Sequence, residues 1–582
     1  MPDSPSRAQA ATAAPPVVSP PPTPSRLARY ISPGAPLEPF WTVTEAHGCV
    51  PAMALAFNGE SWWGDPQLPE PLNEYEALAL RLPHLCNARS PALGFPAIRD
   101  AVDALPPVNL FASRAHVSQR DLERSATPGH EHAASCPNAQ PDSRRVVVLA
   151  SDQHRERAFA ALAFIANAFV HSSSASSASS SASRRLPRII AEPLQRLATA
   201  AGRLPATDYA SSVLTNWTLE DPHGTISLEN VRITRTFTGT DAERWFYAVH
   251  VCIEHRGGRA FKAMFDAKEE ITRLLMLQKL QLKGKAAMER GAALQNLLAH
   301  STLFSVAAAG ESTTVPPVAS SGVSNSVEAM RAMAAVCTHL NAVSDALADI
   351  WEIMSRLSER CPADIFFDEV RVFLASWPDP GVVYDNGCSE ACRQAQPIKL
   401  AGASGAQSAL LPSMDGFLGV AYTQSEVART DLGDFVRMLK RFRQSMPPVH
   451  RQTVALFESA GNCRELVAAA EEVAYSMPAG DALTEFESQV LLLKAAYNDV
   501  LERLVAFRRG HADYATKYIK QMARERHVGD KGKMGTGGSD FATHLQRHIV
   551  DTKKAMYALN RLRGPSIHRV ESLDSIWGDV RP

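Results

Sequence analysis

Three ionisable side chains lie where helical spacing turns them toward an apolar core. The first is His511. Phe486, Val490, Leu493, Tyr497, Val500, Leu504 and Phe507 recur every three or four residues, and His511 and Tyr518 extend that row. Two chemistries suit a histidine there: a core imidazole bonded to a backbone carbonyl, or a neutral imidazole ligating a metal or haem iron in a dry surround. Arg508 lies on the same face one turn earlier. A haem would offer iron to one of them and a propionate to the other at about that separation. The second is His250 in "RWFYAVHVCIEHRGG", which shares a flank with Phe246, Val249 and Ile253. A polar ring on that flank must find a hydrogen-bond partner or cost about 1–3 kcal/mol. It is either a core histidine bonded to a nearby carbonyl or an acceptor for a ligand N–H. The third is Arg371, one turn after Phe367 in "DIFFDEVRVFLASW" (364–377). Its guanidinium suits a bidentate grip on a carboxylate, or an ion pair with Asp368 three residues back.

The elements that must position these residues are helical. Residues 187–200, 206–217, 260–300, 326–358, 364–376, 425–443, 449–460, 482–522 and 541–562 carry helical periodicity. Strand-like alternation is confined to "TISLENVRITRTFTG" (225–239), so the spacing predicts an all-α fold with one short strand pair. A break near 238 divides a small N-terminal domain (27–238) from a large helical domain (239–564), with a disordered tail at 1–26 and a second tail at 565–582. The stretches 113–143, 171–185 and 308–325 are rich in Ser, Pro, Ala or Gly and lack periodicity, which predicts insertions without a fixed fold. The charged, glycine-rich 523–540 follows the His511 helix directly and reads as a mobile lid. "LAGASGAQSALLPSMDGFLGVA" (400–421) is a run of small residues leading into a helix. It needs either glycine dihedrals or close backbone approach to a flat ligand. "MPPVHR" (446–451) opens a helix on two prolines.

The whole chain narrows the partners. Its 582 residues hold 60 basic and 61 acidic side chains, a net charge of −1, which gives no general attraction to nucleic acid or anionic lipid. Nine cysteines follow neither a metal-ligand spacing nor a secreted disulfide framework. The longest apolar run, "AFAALAFIANAFV" (158–170), is too short to span a bilayer and predicts a buried helix. With no apolar signal core at the N-terminus, the expectation is a cytoplasmic protein with neither nucleic acid nor membrane as partner.

"MPPVHR", the "GASGAQS" loop, the histidine helix "FRRGHADYATKYI" and "GTGGSD" (535–540) follow one another in an order that resembles the indoleamine 2,3-dioxygenase family. The likeness runs from "DYASSVLTNW" (208–217) through "RWFYAVHVCIE" (244–254) to the last helix. It implies a haem b enzyme that inserts both atoms of O2 into the indole C2–C3 bond of L-tryptophan. The product would be N-formylkynurenine, the first step of the kynurenine pathway that feeds NAD synthesis. It also implies two helical domains with the haem between them, in a chain expected to be a monomer. A catalytically silent haem-binding protein of the same fold is the alternative.

Carried over by position, the resemblance makes His511 the proximal iron ligand. Arg508 and Asp415 become a charged network at one propionate, and Ser404 a distal position near the other. Arg371 would hold the substrate carboxylate, Phe366 and Phe367 would flank the indole, and Phe246 and Tyr209 would wall the inner pocket. Thr536 belongs to the glycine loop that closes over the amino acid. His250 stands where the mammalian enzymes carry a serine above the haem. There it would accept a hydrogen bond from the indole N–H, as in the related tryptophan 2,3-dioxygenases with their distal histidine.

Overall fold

The computed structural model describes residues 41, 43, 48–51, 68–87, 89–111, 145–149, 151–176, 185–281, 322–385, 396–422, 432–529, 534–537 and 540–559. Helix dominates them. The first half holds α1 (Leu72–Leu85), α2 (Pro91–Asp103), α3 (Asp152–Ser176) and α4 (Arg188–Ala200). The second holds α5 (Asp241–Gln281), α6 (Gly322–Ser355), a three-part helix α7, and then α8 (Leu410–Leu418), α9 (Leu432–Arg443) and α10 (Pro448–Glu458). Helices α11 (Cys463–Ser476), α12 (Asp481–Ala515) and α13 (Phe541–Lys554) complete it. In α7, α-helix at Ala363–Ile365 widens into a π turn at Phe366–Val370 and tightens again at Arg371–Leu374. Among the described residues strands occur as three short pairs rather than the single pair expected. These are β1 (Val108–Phe111) parallel to β2 (Arg145–Val148), β3 (Arg185–Leu186) parallel to β6 (Val383–Tyr384), and β4 (Trp217–Leu219) antiparallel to β5 (Val231–Ile233). The all-α assignment stands.

Capping explains where several helices begin and end. The Glu243 carboxylate in the first turn of α5 accepts from the backbone N–H groups of Phe237 at 2.8 Å and Thr238 at 2.7 Å. Gly419 closes α8 in the left-handed region at φ 72°. Asn462 accepts from Glu465 N–H at the start of α11, and Asp540 from Ala542 N–H at the start of α13.

Two large apolar clusters fill the interior of the described residues, beside a small third of Phe367, Met522 and Ala523. One is built on α1–α4, and Phe373, Trp377, Tyr384 and Leu400 from beyond residue 238 join it. The other gathers the inner faces of α5, α6, α8, α10, α11 and α12. Helix α3 is buried through its apolar run, from Ala158 to Val170. Among the described residues no helix is long and apolar enough to cross a membrane.

Several boundaries differ from the periodicity. Residues 206–217 do not form one helix: a π turn at Ala210–Leu214 gives way to β4. The side-chain amide of Asn216 causes the change, because it pairs with both backbone groups of Arg235 at 2.8 Å and so draws the chain toward the β4–β5 pair. The serine tract 171–185 does not begin as an insertion: α3 runs on to Ser176, and Ser173 donates back to the Val170 carbonyl. The interval 308–325 likewise ends inside α6, while 113–143 and both tails lie outside the described residues.

Candidate active site

His511 ends the apolar row of α12, one turn after Arg508. The helix does not stop there; it widens into a π turn at Thr516–Gln521. Behind His511 the backbone is held close to α6, since a Cβ on Gly510 would lie 2.0 Å from the Trp351 ring. His511 lines a cavity with an empty volume of about 1120 Å3, a figure that includes open solvent at its mouth. Ile253, Ile350, Met354, Leu411, Phe507 and Leu545 make its surface mostly apolar. Burial, and second the nearness of His250, push the His511 imidazole down to about 4, so the ring is neutral at pH 7 and its lone pair is available.

His250 lines the same cavity from α5. Its Nδ1 lies 2.7 Å from the Phe246 carbonyl. A carbonyl only accepts, so Nδ1 is the protonated nitrogen, and burial lowers the ring's pKa and keeps it neutral. Nε2 is then left as an acceptor. The core reading is met at Nδ1, and Nε2 keeps its lone pair. Around it runs a chain of rings. Phe246 is 4.4 Å from His250 between centroids, Phe366 is 4.9 Å from Phe246, and Tyr209 is 6.1 Å from His250. One turn beyond His250, buried Glu254 also lines the cavity and accepts from the Tyr209 hydroxyl at 3.0 Å. Burial raises its carboxyl pKa.

A second polar group occupies another part of the wall. Arg508 Nη2 donates to both Asp415 oxygens, at 2.7 and 2.6 Å, while Nη1 reaches the Thr552 hydroxyl and the His548 carbonyl. The Tyr422 hydroxyl donates to Asp415 Oδ2 at 2.7 Å. Arg508 and Asp415 are both buried, so this is a desolvated pair whose polar atoms are met by neighbours rather than by water.

The remaining predicted residues lie outside the cavity wall. Arg371 is half-buried, its guanidinium carbon 5.2 Å from the Phe367 ring, with Nη2 donating to the Met534 carbonyl and Nε buried without a partner. Asp368 pairs instead with Arg526 at 2.7 Å, so the short-range ion pair is not what holds Arg371. The loop at 534–537 is clipped on two sides. Thr536 O accepts from Ser376 at 2.9 Å, and Gly537 O accepts from Arg441 at 3.1 Å. Ser404 does not line the cavity; its hydroxyl caps the turn Gly405–Gln407, leaving Gly405, Ala406 and Ser408 on the wall.

Residues 143–300 and 296–555 match the Indoleamine 2,3-dioxygenase family. The chain belongs to that family. It is similar to Indoleamine 2,3-dioxygenase 1 of Rattus norvegicus, 25% identical over 384 residues, covering 64% of this chain and 73% of the relative. Against Indoleamine 2,3-dioxygenase of Saccharomyces cerevisiae the identity is 26% over 381 residues, 64% of this chain and 66% of the relative. Against Indoleamine 2,3-dioxygenase nanC of Aspergillus nanangensis it is 23% over 425 residues, 70% and 82%. Membership makes it a haem-dependent oxidoreductase acting on indoles with O2.

The cavity suits such a group. A flat apolar macrocycle needs an apolar slot, one neutral imidazole and polar partners for its carboxylates. His511, the apolar wall and the Arg508 edge supply these. Other wall residues escaped the sequence reading. Glu254 stands four residues after His250 on the same helix face and was findable by spacing. Tyr422, Arg443 and His548 gave no signal, because only the packing of α8, α9 and α13 brings them to the cavity.

Proposed function

We propose that the protein cleaves the indole C2–C3 bond of L-tryptophan with O2 to give N-formylkynurenine, using haem b held by His511, as the first step of the kynurenine pathway. One observation carries the reading: His250 and His511, both neutral, line a single apolar cavity from two different helices. Haem, when bound, supplies the iron at which O2 is activated.

The chain's own residues do the rest. His511 would hold the iron through its neutral imidazole. Arg508 and Asp415 would form a charged network beside one propionate, already paired with each other. Nε2 of His250 accepts the indole N–H and so orients the ring. Phe246, Phe366 and Phe367 exclude water from the indole, and Tyr209, tethered to Glu254, walls the inner end. Arg371 exchanges the Met534 carbonyl for the substrate carboxylate, a stronger charge-assisted partner, and the loop carrying Thr536 moves with that exchange. Ser404 acts through the turn it caps, which sets the cavity face of Gly405 and Ser408. The enzyme works as a cytoplasmic monomer.

The test is His511→Ala. Alanine favours helix, so the variant folds, but it should purify without the haem absorbance of the wild type and without turnover of tryptophan. Wild-type haem absorbance and turnover in that variant would end the assignment, whereas haem in the wild type with no turnover would leave a haem-binding protein.

A further inference from the structure

The polar edge of the cavity has an unusual charge balance. Two arginines line it, and each already has its carboxylate: Arg508 holds Asp415, and Arg443 Nη1 donates to Glu458 at 2.8 Å. Asp415 is further engaged by Tyr422. A carboxylate arriving there meets cations that are already neutralised. One basic group at this edge has no such partner. His548 lines the cavity from α13 with its ring against Tyr422 (5.4 Å) and Phe435 (5.1 Å), and its Nδ1 is buried with no hydrogen bond. Asp415 Oδ2, at 3.9 Å, is too far to bond it.

We propose that His548 is the proton-accepting seat for a haem propionate: a carboxylate entering beside it draws a proton from solvent onto the imidazole, and the new cation balances the new anion. This rests on the haem reading above and concerns a residue that reading does not use. The groups that face His548 are Arg508 from α12, Asp415 from α8, Tyr422 just beyond α8, and His544 and Arg547 from α13 itself. Burial first, and then Arg508, hold the ring down to about 3, so it is neutral at ordinary pH. A propionate at contact distance adds a negative charge in a desolvated place, which raises the bound-state value. The sign follows. A group whose pKa rises on binding takes up a proton with the ligand, so affinity is greatest at low pH and is lost as pH climbs through the bound-state value, by up to about tenfold per pH unit.

The measurement is haem loss from ferric holoenzyme to excess apomyoglobin, followed by absorbance between about pH 6 and pH 9. Wild type should release haem at least tenfold faster at the top of that range than at the bottom, since one linked proton gives up to about tenfold per pH unit. His548→Gln should release it fast throughout, with little pH dependence. His548→Phe, which fills the space between Tyr422 and Phe435, serves if glutamine misfolds. Calorimetry of hemin binding to the haem-free chain in two buffers of different ionisation heat should show wild type taking up more protons than either variant. Equal pH profiles and equal proton uptake in wild type and variants would overturn the role of His548 while leaving haem binding intact. A wild-type chain that binds no hemin at any pH would overturn both.

Discussion

At the scale of single residues, the imidazole of His250 makes this site differ from one with a serine in the same place. Because Nδ1 is committed to the Phe246 carbonyl, the ring is locked in one tautomer with Nε2 as its acceptor. His250→Ser should lower kcat/KM for L-tryptophan by up to about tenfold, the worth of one ordinary hydrogen bond at about 0.5–1.5 kcal/mol. It should lower that for 1-methyl-tryptophan much less, since that substrate has no indole N–H to give. Steady-state kinetics on both substrates decide the point, and an unchanged ratio would mean that His250 does not touch the indole nitrogen. Arg371 makes a second prediction. Its Nε is buried without a partner and its Nη2 is spent on a backbone carbonyl, so the guanidinium is incompletely satisfied without substrate. Arg371→Leu should cost roughly ten- to a hundred-fold in kcat/KM for tryptophan, from about 1.5–3 kcal/mol for a hydrogen bond to a charged group. An indole lacking the carboxylate should be nearly indifferent; equal losses on both would make the arginine structural.

At the scale of elements, the small-residue loop divides its work between two glycines. A Cβ on Gly402 would lie 2.0 Å from the Leu374 carbonyl oxygen, a backbone atom that cannot step aside. On Gly405 a Cβ would meet nothing within 4 Å, and that residue lines the cavity. Gly402→Ala should therefore destabilise the haem-free protein by about 1–3 kcal/mol, as overpacking does. Gly405→Val should leave its stability within about 0.5 kcal/mol yet lower the haem retained on purification. Thermal melts of the haem-free variants beside their haem-to-protein ratios separate the two, and parallel behaviour would show that the loop acts as one unit. The sequence already held the long amphipathic helices and the apolar face of His511, because a period of 3.6 is a local property. It hid α1 and α2, whose interior Pro83 and Pro96 interrupt the pattern, and α11, whose alanines blur its apolar face. Nor could periodicity show the π turns at Ala210–Leu214, Phe366–Val370 and Thr516–Gln521. Each adds a residue to a turn beside Tyr209, Arg371 or the His511 helix, and such bulges recur at functional sites. Tyr422, Arg443 and His548 were invisible for a different reason: their roles depend on distant helices meeting.

At the scale of the whole molecule, folding buries neutral histidines away from the cavity as well as in it. His450 sits edge-on to Trp41 at 5.4 Å, and burial, with Arg203 second, holds it at about 3. Its ordinary value is 6.5, so as pH falls below that the unfolded chain binds a proton that the folded chain refuses, and stability falls with pH. One such group removes about 1.4 kcal/mol per pH unit below its unfolded value. Burial raises Asp208, Glu243 and Glu254, which act in the opposite sense on the same descent, so the clean quantity is a difference between two proteins. Between pH 7 and pH 5 the stability of His450→Gln should decline less than that of wild type, by about 2 kcal/mol over the interval. Denaturant unfolding at the two pH values checks it, and equal declines would show that His450 is protonated in the folded state.

The proposal holds at all three scales together: one apolar cavity, with His511 as iron ligand and His250 orienting the ring, would carry both atoms of O2 into one indole. The most direct measurement is mass spectrometry of the product formed from L-tryptophan by reduced, haem-replete protein under 18O2. N-formylkynurenine carrying two 18O atoms should form, and none from His511→Ala. Product with one labelled oxygen, or haem-replete protein that leaves tryptophan unchanged, would contradict it.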